Sequence, residues 1–190
     1  MKRSPGDISS EREAILVSSI LARDEWAFHE LYEGYKPRLS RFLHHVMKRP
    51  SLVEDVFNET MMAVWEGLHG FKGDSRLSTW VFAIAYNKSM KALARNDEPM
   101  DDDRCDAQPS GAPDPEEQAA VVYREQALRR AIDSLSADHR AVMDLTYFHE
   151  MGYDDIAVIM GCPVNTVKTR MFHARRHLKS ALSGDQSDWF

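Results

Sequence analysis

Polar and apolar residues follow one another along this chain with the spacing of amphipathic helices, and strand-like alternation is absent. The clearest predicted buried face follows Ser51 and consists of Val53, Val56, Phe57, Thr60, Met61, Val64 and Leu68. Two patterns, Ser10-x-x-Glu13 and Ser51-x-x-Glu54, match capping boxes, in which hydroxyl and carboxyl satisfy each other's free backbone amides. These patterns predict an all-helical bundle in the first part of the chain.

Two further signals complete this predicted bundle. Pro37 predicts the start of a helix, or a kink, between Asp24 and Lys48. Residues 70–75 interrupt the helical spacing, and Ser78 is predicted to cap a helix that runs through residues 80–95.

The second part of the chain is predicted to contain four helices, at residues 116–134, 137–150, 153–160 and 164–182. Between the last two, Gly161 is suited to a left-handed turn and Pro163 to the first position of the next helix. The last helix has a predicted buried stripe of Val164, Val167, Met171, Ala174, Leu178 and Leu182. Its predicted outer face carries Asn165, Lys168, Thr169, Phe172, His173, Arg175 and Arg176.

A short helix, a glycine turn and a basic helix with hydrogen-bonding side chains on its free face are typical of a DNA-binding helix-turn-helix. The alternative is an ordinary amphipathic helix whose charged face is solvated. Three features favour DNA binding: the face has no acidic residue, it carries the aromatic Phe172, and a turn of the right type precedes it.

Between the two helical parts, residues 96–115 hold four prolines and almost no large apolar side chain. This composition predicts a flexible, acidic tether. The fold class is therefore all-α, with two small helical domains at residues 1–95 and 116–190 joined by a linker at 96–115.

Charge is distributed unevenly along the 190 residues, whose formal net charge is -6. Residues 97–117 hold nine acidic side chains and one basic one, so the rest of the chain is slightly basic. Residues 72–95 and 161–182 each carry five Lys or Arg, with one acid in the first segment and none in the second. Because electrostatic contact acts within about 8–10 Å, these local excesses are compatible with nucleic acid.

Several classes of function lack their signals. The longest apolar run, Trp80–Tyr86, is too short for a bilayer, and the N-terminus lacks the apolar core of a signal peptide, which predicts a cytoplasmic protein. Two cysteines do not make a disulfide framework. No phosphate-binding glycine loop or nucleophile elbow is found, and His29-Glu30 and His149-Glu150 lack the second histidine of a zinc motif. We predict surface positions for both histidines, no metal, no cofactor and no catalytic residue.

Several motifs resemble one known family. Residues Phe71–Trp80, followed by Ala85-Tyr86-Asn87, are similar to the promoter-melting segment of extracytoplasmic-function sigma factors. Residues Glu54–Thr60 with Trp65 resemble their polymerase-clamp segment. Leu135-Ser136-x-x-x-Arg140 through residues 161–170 resembles the region that reads the upstream promoter element. The resemblance covers about residues 24–182, and it implies a dissociable, non-catalytic subunit of bacterial RNA polymerase.

The resemblance implies a role for each surface. The first domain would dock on the clamp helices of core polymerase through Asp55, Asn58, Glu59 and Met62. The family often has Gln at the position of Asn58. The alternative for this stripe is a solvated acidic helix face.

The loop that begins at Phe71 and the helix after it would hold the single strand of the minus-ten element. The residues implied are Lys72, Arg76, Trp80, Asn87, Lys88 and Lys91, with cations for phosphates and an aromatic beside a base turned out of the stack. Trp80 is equally compatible with plain core packing. Many relatives have Arg at the positions of Ala83 and Tyr86.

In the second domain, Lys168 and Arg170 would position the minus-thirty-five duplex, and Arg175 or Arg176 would follow its phosphates. Asn165, Thr169, Phe172 and His173 complete the implied site, and the last three match positions that face base edges. Arg is frequent at the position of His173, so the sequence read there is expected to differ.

The implied partners are core RNA polymerase (clamp helices and flap), promoter DNA and an anti-sigma factor, with the chain acting as a monomer that does not enter the membrane. A tether of about 20 residues reaches about 65 Å, and a spacer of about 17 base pairs spans about 58 Å. The two basic domains can therefore reach both elements only when the tether is nearly extended, or when their helices cover part of the gap. The charges also raise the hypothesis that the free chain folds back and masks its DNA-binding faces. The rival classes are a dimeric helix-turn-helix regulator and a protein-binding helical module.

Overall fold

The computed structural model describes residues 10–95 and 126–182, which form two helical bundles. The first contains α1 (Ser10–Leu21), α2 (Glu25–Met47), α3 (Pro50–Gly67), a short 3-10 turn (Leu68–Gly70) and α4 (Leu77–Arg95). The second contains α5 (residues 126–133 in its described part), α6 (Ala137–Tyr147), α7 (Tyr153–Met160) and α8 (Val164–Leu182). Neither described range contains a strand. The all-α prediction is confirmed, and the predicted tether lies outside the described residues.

Helix α2 is the centre of the first bundle, and its ends have clear local causes. The Asp24 carboxylate accepts hydrogen bonds from the amides of Trp26 (2.9 Å) and Ala27 (3.2 Å), which would otherwise be unsatisfied in the first turn. Lys48 ends the helix in the left-handed conformation with φ 54°. Pro37 lies inside one continuous helix, so it does not mark a helix start.

The stripe predicted on α3 is buried as expected: Val53, Val56, Phe57, Thr60, Met61, Val64 and Leu68 all face the core. The predicted cap at Ser51 is wrong. Helix α3 begins one residue earlier at Pro50, whose missing amide and fixed φ suit the first helical position, and Arg49 precedes it without a side-chain cap.

The predicted cap at Ser78 is also wrong. The Trp80 amide already donates to the Arg76 carbonyl (3.2 Å), so Ser78 lies inside the first turn of α4. The side chain of Ser10 lies outside the described residues, and its predicted capping role is not described by the structure.

In the second bundle, α7 and α8 have the predicted bounds, and the turn between them has the predicted geometry. Gly161 adopts φ 60°, and its amide donates to carbonyls of α7, which satisfies the end of that helix. Helix α6 is three residues shorter than predicted because the chain leaves it after Tyr147. Of the helix predicted at 116–134, only residues 126–133 are described.

The two bundles pack against each other. Helix α4 contacts α7, and α2 contacts α6. Buried side chains from both bundles form one continuous hydrophobic cluster. No helix in the described ranges is long and apolar enough to cross a membrane.

Candidate functional site

The first candidate surface is the side of α3 that faces away from the core. Its members are exposed, as predicted: Asp55, Asn58, Glu59 and Met62. The Met62 side chain is 55% exposed, an unusual position for a large apolar residue between acidic neighbours. An apolar centre with a charged rim is the arrangement that protein interfaces favour.

Two residues of this stripe already have partners within the bundle. The Tyr32 hydroxyl donates to Asn58 Oδ1 (3.0 Å), which fixes the side-chain amide. Lys88 of α4 forms an ion pair with Glu59 Oε2 (3.3 Å). A residue implied in DNA binding therefore lies directly beside one implied in polymerase binding, and the two surfaces are continuous.

The second candidate surface consists of the loop before α4 and the exposed side of that helix. Lys72 and Arg76 are exposed on the loop, and Asn87 and Lys91 are exposed on the helix. Gly73 turns the loop with φ 76°, a conformation that other residues adopt only with strain. The loop is thus held outward, with its cations facing solvent.

Trp80 is half-buried at the base of this loop. Its ring lies 5.4 Å from that of Phe71 at 45°, and its edge covers the backbone of Gly67 at 3.7 Å from where a Cβ would be. Trp80 therefore packs on the bundle while part of it stays accessible. The packing is shown, and contact with a base remains a prediction.

The third candidate surface is the outer side of α8. Val167, Met171 and Ala174 are buried, while the rest of the predicted stripe (Val164, Leu178 and Leu182) is half-buried. Seven of the predicted outer residues are exposed: Asn165, Lys168, Thr169, Phe172, His173, Arg175 and Arg176. The helix is oriented as the sequence predicts.

Phe172 is central to this face and is 60% exposed. The His173 ring lies 5.6 Å from it, and the Arg176 guanidinium lies 5.9 Å from its centre. Thr169 donates its hydroxyl proton to the Asn165 carbonyl (2.9 Å), so its methyl group remains available for apolar contact. Arg175 donates to the Tyr147 hydroxyl (3.0 Å), which holds it at the side of the face.

Arg170 differs from the other candidates. It is half-buried and pairs with Asp138 Oδ2 (2.5 Å), while its other nitrogen approaches Cys162 Sγ (3.7 Å). In this arrangement the guanidinium braces the turn instead of facing the exposed side with Phe172. Contact between Arg170 and a DNA phosphate stays a prediction.

Histidine and arginine side chains lie close together beside α8. Burial lowers the pKa of His139, and the nearby His173, Arg170 and His177 lower it further against the opposing effect of Asp138. An open cleft of about 510 Å³ adjoins these histidines, and Arg176 and Ser136 also line it. The exposed bases Lys168, Arg175 and Arg176 on the same helix suit an anionic partner.

The structure corrects the surface position predicted for His149 and reveals functional candidates that the sequence did not indicate. The His149 side chain is only 4% exposed, and it lies beside the buried carboxylate of Asp144.

Asp138 joins Tyr86 to Arg170. The one signal in the sequence for this contact is that Tyr86 occupies a position where many relatives have Arg. Among residues 10–95 and 126–182, no group of His, Cys, Asp or Glu is placed to hold a metal ion.

Comparison with known families finds two matches along the chain. Residues 31–98 match the family described as Sigma-70 region 2, and residues 125–178 match Sigma-70, region 4. RNA polymerase sigma-H factor of Pseudomonas aeruginosa is 30% identical, over 92% of this chain and 96% of its own length. ECF RNA polymerase sigma factor RpoE of Cereibacter sphaeroides is 30% identical, over 85% and 89%.

Two solved structures have folds similar to that of this chain. The sigma factor RpoE in complex with the anti-sigma factor NepR from Bartonella quintana has a TM-score of 0.61 and 26% identity, over 78% of this chain and 92% of that one. CnrH in complex with the cytosolic domain of CnrY has a TM-score of 0.65 and 22% identity, over 93% and 99%. The second likeness concerns the fold alone.

Proposed function

We propose a division of labour between the two domains of this chain. The chain belongs to the extracytoplasmic-function (ECF) sigma factors and, as an alternative sigma factor, directs RNA polymerase to promoters. Members of this family bind core polymerase and promoter DNA. The first domain, residues 1–95, docks on the polymerase clamp and holds the minus-ten element. The second, residues 116–190, reads the minus-thirty-five element and contacts the flap, and residues 96–115 link the two.

The clamp contact is assigned to Asp55, Asn58, Glu59 and Met62. The support is an exposed methionine among acidic and amide side chains on one side of α3, whose opposite side is fully committed to the core. Burying Met62 against polymerase would contribute apolar area, and the acids would select a basic partner.

Minus-ten binding is assigned to Lys72, Arg76, Trp80, Asn87, Lys88 and Lys91. The exposed cations attract the phosphates of the single strand, and the accessible part of Trp80 offers a stacking surface. Lys88 becomes available when polymerase engages its partner Glu59.

Minus-thirty-five binding is assigned to α8, and the observation that carries it is the exposed, acid-free face around Phe172 behind the Gly161 turn. Lys168, Arg175 and Arg176 are suited to phosphates. Asn165, Thr169, Phe172 and His173 are placed to reach base edges. Arg170 contributes by bracing the turn, and it contacts DNA only after leaving Asp138.

The chain acts as a monomer in the cytoplasm, without catalytic activity of its own, and an anti-sigma factor restrains it. The support is the similar RpoE of Bartonella quintana, whose solved structure is a complex with the anti-sigma factor NepR. A monomer with one clamp surface predicts a 1:1 complex with core polymerase. A stand-alone regulator would instead dimerise on duplex DNA.

Core binding and run-off transcription test this assignment together. Asp55→Arg and Glu59→Arg should each lower the affinity for core polymerase at least tenfold, because each places a like charge in a desolvated contact. Both residues are exposed, and the Lys88 ion pair contributes at most about 1 kcal/mol, so the bundle should stay folded.

The matched control is Glu33→Arg, the same charge reversal at an exposed position of α2. It should bind core polymerase like the wild type. Wild-type affinity in both α3 variants would refute the clamp assignment. Promoter binding by a dimer without polymerase would favour the regulator.

A further inference from the structure

A cleft of about 510 Å³ runs along one side of α8, between that helix and the turn that joins α5 to α6. Its polar lining, which defines the histidine cleft, consists mainly of His139, His173, His177, Arg176, Ser134 and Ser136. None of the described residues that line it is acidic. Imidazole, guanidinium and hydroxyl groups without a carboxylate are suited to an anion.

The wall that α8 provides continues the exposed face around Phe172. Arg176, His173 and His177 are exposed, and at about 100° per residue they turn progressively away from Phe172 on one side. Arg175 lies on the other side of Phe172. The major groove is about 12 Å wide, so a helix that enters it has a sugar–phosphate backbone on each side. The histidine cleft therefore lies where one backbone of a bound duplex passes, and Arg175 where the other passes.

Two rings in the cleft have serine partners that tolerate a change of protonation. Ser134 Oγ donates to the Ala131 carbonyl (2.7 Å), so it accepts the bond that joins it to His177 Nε2 (2.7 Å). Ser136 Oγ lies 2.9 Å from His139 Nδ1, and a hydroxyl can either donate or accept. Both rings therefore keep their hydrogen bond when they gain a second N–H, and positive charge can develop in the cleft without an unsatisfied donor.

The acids beside the cleft are engaged elsewhere. In the described part of α5 the acid is Asp133, which pairs with Lys48 (2.7 Å). In the first turn of α6 the acid is Asp138, which binds Arg170. The charged and titratable groups that line the cleft itself come from α6 and α8: His139, His173, Arg176 and His177. An anion that enters the cleft therefore meets groups of one sign.

The same groups make anion binding and protonation depend on each other. Burial lowers the pKa of His139, and the nearby His173, Arg170 and His177 lower it further against the opposing effect of Asp138. A bound phosphate acts in the opposite direction, because an opposite charge within about 4–6 Å favours the charged form of a group. Binding an anion thus draws protons into the cleft, and by reciprocity the affinity for the anion rises as pH falls.

We propose that the histidine cleft binds one backbone phosphate of the minus-thirty-five duplex and takes up protons as it does so, so that the second domain holds promoter DNA more tightly as pH falls. The inference rests on the proposed function for the duplex, and on the lining of the cleft for the phosphate. His139, His177 and Arg176 bind the phosphate, and Ser136 and Ser134 orient the two rings. The cleft adds a contact from α6 to a DNA surface that is otherwise assigned to α8.

The expected size follows from the number of protons taken up. Imidazole changes its charge between about pH 5 and 8, and each proton taken up changes the affinity by up to about tenfold per pH unit. Partial uptake by two rings gives roughly a fivefold gain in promoter affinity between about pH 7.6 and about pH 6.2 for wild-type holoenzyme. His139→Gln with His177→Gln keeps polar side chains without the charge, so this variant should gain less than about twofold.

Two further variants complete the set. His177→Gln alone, at a fully exposed position, should give an intermediate gain and does not depend on the half-buried site of His139. His44→Gln is the matched control, because that histidine is exposed on α2 in the first bundle. It should show the wild-type response at both pH values. A wild-type response in the double variant would overturn the proton uptake.

A neutral phosphate analogue locates the contact on the DNA. A methylphosphonate is placed at each position of the minus-thirty-five element and its flanks in turn, and binding of holoenzyme to each promoter is measured. At the contacted position, wild-type holoenzyme should lose affinity and most of its pH response. The double variant should lose little more there than it has already lost, because the two changes remove the same interaction. Additive losses at every position would overturn the phosphate contact.

Inorganic phosphate distinguishes a free anion from the DNA backbone. It is titrated into the free full-length chain while the histidine ring resonances are followed by NMR. Shifts of His139 and His177 with additive losses on DNA would mean a small-anion site only, and would overturn the promoter contact. Non-additive losses at one DNA position support the proposal with or without these shifts. If wild-type holoenzyme failed to distinguish promoters with and without the minus-thirty-five element, the proposed function would fail, and the ring shifts would still report an anion in the cleft.

Discussion

Replacing Phe172 with alanine should separate base reading from backbone binding on α8. The ring is 60% exposed, and the ring of His173 and the guanidinium of Arg176 on the same helix lie beside it. Its removal should therefore cost little folding stability. It should lower binding to promoters with a cognate minus-thirty-five element and have much less effect on mismatched ones.

The magnitude follows from the accessible area. A phenylalanine offers roughly 200 Å², so 60% exposure leaves about 120 Å² for a partner. At about 25 cal/mol per Å², complete burial would contribute about 3 kcal/mol. Contact with a base edge or a thymine methyl covers about half of this area, which gives about 1.5 kcal/mol and slightly more than a tenfold loss of affinity.

The assay is run-off transcription with reconstituted holoenzyme on promoter pairs that differ only in the minus-thirty-five element. Phe148→Ala is the matched control, because that side chain is 57% exposed in the same bundle but lies at the end of α6. Phe148 contacts His45 of the first bundle, so any effect of losing this packing should be the same on every promoter.

Arg176→Ala completes the experiment. Its guanidinium is suited to a phosphate, so its loss should weaken all promoters alike and reduce the salt dependence by about one unit of slope. If Phe172→Ala lowered all promoters equally while Arg176→Ala changed the preferred sequence, the assignment would be refuted. The reading face would then be rotated about the axis of α8.

Two further predictions concern stability. Burial raises the pKa of Asp144, but the nearby rings of His149 and His45 outweigh this effect and leave the pKa below its ordinary value; Asp144 therefore stabilises the fold above about pH 4 and loses this effect as pH falls further. Asp144→Asn should lower the free energy of unfolding by about 3 kcal/mol at pH 7 and flatten its decline on acidification, measured by denaturant unfolding; a decline as steep as that of the wild type would contradict this. Gly161→Ala should lower the free energy of unfolding by about 1–2 kcal/mol, because Gly161 has a φ of 60°. Gly70→Ala, with no atom within 4 Å of the added methyl group, should lower it by less than half as much. Equal losses in the two variants would contradict the strain argument.

Local pattern predicted the helices well because their causes are local. The spacing of apolar side chains alone identified the buried face of α3, and Gly161 with Pro163 identified the turn before α8. The wrong capping positions at Ser51 and Ser78 also have local reasons. Helix α3 begins earlier, at Pro50, and in α4 the Arg76 carbonyl already accepts a hydrogen bond from Trp80. In sequence, a serine inside the first turn of a helix looks the same as one at its cap.

The contact between the bundles was not predictable in this way. Asp144 and His45 are 99 residues apart, and Arg140 and Val46 are 94 apart. Nothing in the spacing around His149 distinguishes a histidine that packs against two buried phenylalanines from one on a helix surface. The exposure of the proposed minus-ten residues Asn87 and Lys91 was predictable, because exposure of a helix face follows from periodicity.

The DNA-binding surfaces are exposed on both bundles: Lys72, Arg76, Phe172 and His173 all face solvent. Masking of these surfaces by the acidic tether stays a prediction, because residues 96–115 lie outside the described part of the chain. Under the proposed function, each bundle alone meets DNA with the weak affinity of one site. Linked sites strengthen each other only when both can be reached at once. Polymerase that holds both bundles on their elements would convert two weak contacts into one strong one, which makes promoter recognition conditional on assembly with polymerase.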